Sequence, residues 1–235
     1  MATSLARPQS SLEEDLLSLR QHLLEMAGRV EDMIHRAGQA LVHRDAELAE
    51  ETIRLDRVVN GAEIDIDAAC RSILATHRPQ GVELRRVTGA MKMVTDLERL
   101  GDLAVNICER AIDLGLAEQI VVHGELPRMT RLVESMVQDA IDAFVVGETT
   151  RAWSVIQRDD EVDAVYRRVF ADSLARMRSE PRDVHQLIHV QSVAKWLERM
   201  ADHATNLAEL VIFVLEGRDV RHSSLRKPAP PPSRR

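Results

Sequence analysis

Two sets of oxygen-bearing side chains recur one hundred residues apart. The first is Glu98, Asp102, Asn106 and Glu109; the second is Glu198, Asp202, Asn206 and Glu209. They sit in matching segments, Leu97-Glu98-Arg99-Leu100-Gly101-Asp102 and Leu197-Glu198-Arg199-Met200-Ala201-Asp202. Matching at so many offsets marks an internal duplication. Clustered carboxylates and amides are the donor set of hard or borderline divalent cations, so the chemistry they suggest is cation binding.

Helical spacing sharpens that expectation. At about 100° per residue, Asp102 lies about 40° from Glu98, Glu109 about 20° and Asn106 about 80°. Leu84, Val87, Met91, Val94, Gly101, Val105, Cys108 and Ile112 form a 3-4 apolar stripe with Glu98 in register, which places the three acids on the core-facing side. Glu198, Asp202 and Glu209 repeat the pattern beside Val184, Leu187, Ala194, Thr205 and Ile212. Ionised carboxylates on a buried face cost several kcal/mol each unless compensated, an estimate of about that order. Three compensations are open: arginine pairing, protonation and bound metal. Arg99 and Arg199 lie about 100° from the stripe, so neither is expected to cover the acids of its own helix. The preceding helix of each half offers further donors: Asp56, Asn60 and Glu63 in one, Asp159 and Asp163 in the other. Asp56–Asn60 and Asp159–Asp163 are i, i+4 pairs, each on one face.

Positioning these groups requires long helices. Pro and Gly divide the chain into six helical stretches, about 11–43, 45–77, 82–114, 127–146, 149–178 and 181–217. Ser11 with Glu14 resembles a capping box, Pro127 and Pro181 suit helix starts, and Gly147 and Gly217 suit helix ends. Aromatic residues are only 3% of the chain, which disfavours a sheet. Joined by short turns, such helices pack as antiparallel neighbours. The expected fold is all-α: two tandem antiparallel three-helix bundles over residues 11–115 and 125–217. Residues 1–10 are expected to be a disordered N-terminus and 218–235 a disordered, basic, Pro-rich tail.

Composition excludes several functions. Residues 218–235 carry a local balance of +5, which leaves −12 on the rest of a chain whose total is −7. An acidic body opposes nucleic-acid binding. No apolar run reaches the roughly 20 residues of a membrane helix, and Met1 to Ser11 has no signal-peptide core. A cytoplasmic protein is expected, with any membrane contact peripheral. Cys70 and Cys108 form no CxxC and suit a reducing compartment. Neither a GxGxxG nor a GxxxxGK[ST] phosphate loop occurs, and no GxSxG, so an enzyme is not expected. A di-iron carboxylate enzyme of the ferritin-like kind is the runner-up, but its Glu-x-x-His motif is absent. A metal-free helical scaffold with arginine-paired acids is the third reading. His185 and His189 share an i, i+4 face; a structural role is the default, with metal binding the alternative.

The duplicated segment resembles the signature of the PhoU family, LERIGDxAxNIxE, which is itself duplicated. Asp56…Asn60 and Asp159…Asp163 look similar to that family's D-x-x-x-D. The likeness spans roughly residues 11–217. It implies that Glu98, Asp102, Glu198 and Asp202 are metal ligands, with Asn106, Glu109, Asn206, Glu209, Asp56, Asp159 and Asp163 less secure. It also implies ions of iron, zinc, magnesium or manganese. The implied role is negative regulation of phosphate-starvation signalling and phosphate uptake. In that role the protein links a phosphate ABC transporter ATPase to a sensor histidine kinase. A homodimer is implied as well, although two self-sufficient bundles are equally compatible with a monomer. Asn60 departs from the pattern, which leads us to expect weaker binding in the first half. Ala201 replaces a glycine, which is expected to alter only packing.

Overall fold

Residues 10–115 and 124–221 are described by a computed structural model. They form six long helices: α1 (Leu12–His43), α2 (Ala46–His77), α3 (Gly81–Gly115), α4 (Leu126–Val146), α5 (Thr149–Ser179) and α6 (Val184–Glu216). Local chemistry sets most of the boundaries. The Ser11 hydroxyl accepts from the Glu14 backbone N–H at 3.2 Å, and the Ser11 N–H donates to the Glu14 carboxylate at 2.8 Å. The Asp45 side chain caps α2 by accepting from the Leu48 N–H at 3.0 Å. Gly147 and Gly217 end α4 and α6 in the left-handed region, where glycine carries no steric penalty. One boundary differs from expectation. Pro181 opens a short 3-10 turn, Pro181–Asp183, and α6 begins only at Val184.

Within each half, all three helices pack pairwise: α1 with α2 and α3, α2 with α3, α4 with α5 and α6, and α5 with α6. The halves meet chiefly through α3 against α6, with a smaller α1–α4 contact. Gly38 and Gly89 serve these junctions. A Cβ on Gly38 would overlap Glu134 and Thr130 of α4, and one on Gly89 would overlap Val214 of α6. The core is aliphatic and methionine-rich, with Met26, Met33, Met129, Met136 and Met200 fully buried. Thioethers fill irregular gaps that a chain so poor in aromatics leaves.

The buried face of α3 is turned slightly from the expected stripe. Leu84 is exposed, and Met91, Val105 and Ile112 are half-buried, whereas Leu97, Leu100, Ala104, Ile107 and Ala111 are buried. α3 must satisfy three neighbours, α1, α2 and α6, so its apolar surface is broader than a single seam. Residues 1–9 and 222–235, which hold nearly all of both expected disordered ends, lie outside the described residues. Residues 218–221 lie against the body: Val220 is buried, and the Arg218 guanidinium sits 5.4 Å from the Trp153 ring.

Candidate metal centre

The first acidic cluster spans α2 and α3. The Glu98 side chain is 16% exposed and Asp102 39%. Burial pushes the Glu98 carboxyl above the ordinary range, and the neighbouring charges of Asp102, Glu63 and Asp56 push it further; Arg99 opposes them. Asp56 is also raised, first by burial and then by Asp102, with the Asn60 hydrogen bond opposing. The Asn60 amide nitrogen donates to Asp56 Oδ2 at 2.8 Å. The remaining oxygens of that pair, Asp56 Oδ1 and Asn60 Oδ1, are buried with no hydrogen-bond partner. Such orphaned acceptors are rare, and each calls for a donor or a cation.

Contrary to expectation, one arginine pairs with the other two acids of the cluster and leaves those oxygens unmet. Arg99 Nη1 lies 3.2 Å from Asp102 Oδ2, and its Nε lies 3.5 Å from Glu98 Oε2. The 100° offset of its Cα misled because it ignored the length of the side chain, which folds back over both neighbours. The Arg99 guanidinium thus faces two carboxylates, Glu98 and Asp102, in a cluster where Asp102, Glu63 and Asp56 all add negative charge around Glu98.

The second cluster spans α5 and α6 and is balanced differently. Lys195 Nζ lies 2.5 Å from Glu198 Oε2, and Arg167 Nη2 lies 3.0 Å from Asp163 Oδ2. The Lys195 ammonium is held above its usual range chiefly by the Glu198 hydrogen bond. Burial raises the Asp202 carboxyl, and Glu198 and Asp163 add to the shift, while Lys195 and His203 oppose it. Asp202 itself is an exposed residue, so these raising influences act at the rim of the bundle rather than inside it.

Other expected ligands are elsewhere. Glu109 is exposed rather than core-facing. It lies eleven residues beyond Glu98, about 16 Å along the helix, too far to share one ion with it. Glu209 is 5% exposed, on the α6 surface that meets Arg221. Asn206 is exposed, and its amide nitrogen donates to Asp96 Oδ1 at 3.3 Å. Asn106 is half-buried on α3, and Asp159 half-buried on α5. Among the described residues, no three His, Cys, Asp or Glu side chains stand in metal-holding geometry. The oxygen donor set and the two orphaned oxygens of the α2–α3 cluster nevertheless suit a hard or borderline divalent cation.

The sequence favours a surface or interhelix polar role for His203, but not its partner, and the structure sets it in a polar seam between the halves. His203 Nδ1 lies 2.8 Å from Asp96 Oδ1, beside the Asn206 contact. At the other end of the α3–α6 crossing, Arg110 Nη1 pairs with Asp113 Oδ2 at 2.7 Å. The same nitrogen lies 3.3 Å from His189 Nδ1, and the guanidinium sits 5.9 Å from the Trp196 ring. The available signal was a break in the repeat: Asp96 aligns with Trp196, and Leu103 with His203.

Comparison with known proteins follows the same duplication. The PhoU domain matches twice, at residues 23–111 and 126–211. Over 220 residues the chain is 37% identical to the phosphate-specific transport system accessory protein PhoU homolog of Pseudomonas putida, covering 91% of this chain and 84% of that one. The homolog of the same name from Aquifex aeolicus is 35% identical over 216 residues, covering 92% and 98%. The crystal structure of PhoU from Pseudomonas aeruginosa superimposes with a TM-score of 0.86 at 36% identity, covering 88% of this chain and all of that one. The phosphate transport system regulatory protein PhoU from Streptococcus pneumoniae gives 0.83 at 28% identity, covering 89% and 99%.

Proposed function

This chain belongs to the PhoU family, and from that premise we propose that it is a metal-binding regulatory adaptor of phosphate homeostasis. The relatives are named as accessory and regulatory proteins of phosphate transport, not as enzymes. The proposed adaptor acts in the cytoplasm, where it lowers phosphate-starvation signalling and uptake. It does so by joining a phosphate ABC transporter ATPase to a sensor histidine kinase. Among the described residues no helix is long and apolar enough to cross a membrane, which suits an adaptor touching membrane proteins from one side.

The observation that carries the metal reading is the α2–α3 cluster. Glu98 stands among the charges of Asp102, Glu63 and Asp56, Arg99 reaches only Glu98 and Asp102, and Asp56 Oδ1 and Asn60 Oδ1 are buried without hydrogen-bond partners among the described residues. Glu98, Asp102, Asp56 and Asn60 would hold the cation, with Arg99 turning outward to water. The bound cation would neutralise the mutual repulsion of these acids and clamp α2 to α3. Iron, zinc, magnesium and manganese all accept such oxygen donors. Metal analysis of the purified protein tests this. Replacing Glu98, Asp102, Glu198 and Asp202 together by alanine should remove the metal held by the acidic clusters, read with Mn2+, while the chain stays helical by circular dichroism. Metal content unchanged in that variant defeats the assignment. The partner reading is tested separately, by crosslinking in phosphate-replete cells and probing for a transporter ATPase and a histidine kinase.

A metal-free scaffold is the second reading. It is favoured by the Arg99 and Lys195 pairings, which partly neutralise both clusters. It requires the purified protein to carry no stoichiometric metal and to gain no stability from added ions.

A further inference from the structure

The start of α6 carries a second donor set that neither acidic cluster uses. His185 and His189 stand one helical turn apart, with ring centroids 4.9 Å from each other. His189 Nε2 lies 3.2 Å from His185 Nδ1. Two imidazole nitrogens bound to one tetrahedral zinc at about 2.0–2.1 Å would be about 3.3 Å apart. The spacing of the two nitrogens thus matches the bite of a single ion, and a rotation of the rings away from their mutual hydrogen bond would aim both lone pairs at it. Glu198 lies nine residues beyond His189, about 13 Å along the helix, so this is not an extension of the acidic cluster.

We propose that His185 and His189 form a two-imidazole site for a zinc-class divalent cation, on the surface of α6 where it faces Arg110 and Asp113 of α3. His189 Nε2 and His185 Nδ1 are the ligating atoms, and water fills the remaining positions. Imidazole is a preferred ligand of this metal class, which separates the site from the all-oxygen clusters. Burial and the nearby charges of Arg110 and the His185 ring disfavour a protonated His189, against the pull of Asp113.

Arg110 regulates access to the site. A guanidinium only donates, so its contact with His189 Nδ1 requires that nitrogen to be unprotonated. The single ring proton then sits on Nε2 and is directed at His185. For Nε2 to ligate, that proton moves to Nδ1 of the same ring, and Arg110 gives up the contact. No proton is lost overall. Arg110 keeps its 2.7 Å pairing with Asp113 and its place near the Trp196 ring. Arg110 therefore competes with the ion, by holding the wrong tautomer and by its charge.

The test is a long-range proton–nitrogen NMR experiment on the full chain labelled with 15N-histidine and titrated with Zn2+. It reads ring nitrogens alone, so uptake by carboxylates does not interfere. His189 Nε2 and His185 Nδ1 should shift together as ligated nitrogens. His185→Ala and His189→Ala should each weaken Zn2+ binding at the surviving ring by roughly a hundredfold, because a tethered second ligand is lost. Arg110→Ala should tighten it several-fold, a gain that a merely structural histidine pair would not show. Ring signals unmoved by several equivalents of Zn2+, or a surviving ring that binds as well alone, would overturn the site. Failure here leaves the α2–α3 cluster untouched, since that site is read by the metal lost on replacing Glu98, Asp102, Glu198 and Asp202, none of which the histidine pair uses.

Discussion

The two acidic clusters occupy equivalent places in a duplicated fold, yet their charges are settled in different ways. In the α5–α6 cluster, Lys195 meets Glu198 and Arg167 meets Asp163. In the α2–α3 cluster, Arg99 alone serves Glu98 and Asp102, and two buried oxygens of Asp56 and Asn60 have no donor. Duplication kept the acids and the arginine after the first of them, Arg99 and Arg199, but Lys195 has only Thr95 at the equivalent place in the first half. The half with the weaker ligand by type, Asn60 in place of a carboxylate, is the half with the greater unmet demand for positive charge. Counting carboxylates would rank the sites one way; accounting for their partners ranks them the other.

That contrast is open to direct attack. The largest expected effect is on metal affinity. Glu98→Ala with Asp102→Ala should weaken binding of Mn2+ or Zn2+ by about a hundredfold, about 2.7 kcal/mol, and Glu198→Ala with Asp202→Ala by only about tenfold. Calorimetric titration measures both, and equal losses would show that the clusters do not differ. Next is the seam between halves. Asp96→Ala strips His203 and Asn206 of their shared acceptor and should cost about 1–3 kcal/mol in urea unfolding.

Acidity sharpens the same contrast. Glu98, Asp56 and Asp202 all have raised folded-state pKa values. Between their unfolded and folded values the native chain binds more protons than the unfolded one. Chelator-treated protein should therefore gain stability as pH falls into the upper carboxylate range, and lose it as pH rises again. Glu98→Gln should flatten that slope in thermal melts more than Asp202→Asn does. The smallest effect concerns helix starts. Ser11→Ala should cost about 1 kcal/mol by removing the capping box of α1. α4, which has no side-chain cap at Glu125, offers no equivalent loss.

Much of the fold was legible because long helices announce themselves through periodicity and punctuation. Ser11 with Glu14, Asp45, Gly147 and Gly217 act locally, so their effects are readable from neighbouring residues. The i, i+4 acids were legible for the same reason, and Asp56 and Glu98 do meet across α2 and α3. What was not legible depends on side-chain reach and on tertiary rotation. Arg99 folds back across a full turn, Glu109 turns to solvent although its angle matches Glu98, and α3 rotates to satisfy three neighbours at once. The Asp96–His203 contact joins residues 107 positions apart and breaks the repeat, so no local pattern contained it.

α3 carries both Glu98 and Asp96, and α6 carries both Asp202 and His203. Each rod therefore bears an acid of its own cluster next to a contact that fastens it to the other half. The seam and the clusters thus share the same two helices, with Asp96 two residues from Glu98 and His203 next to Asp202.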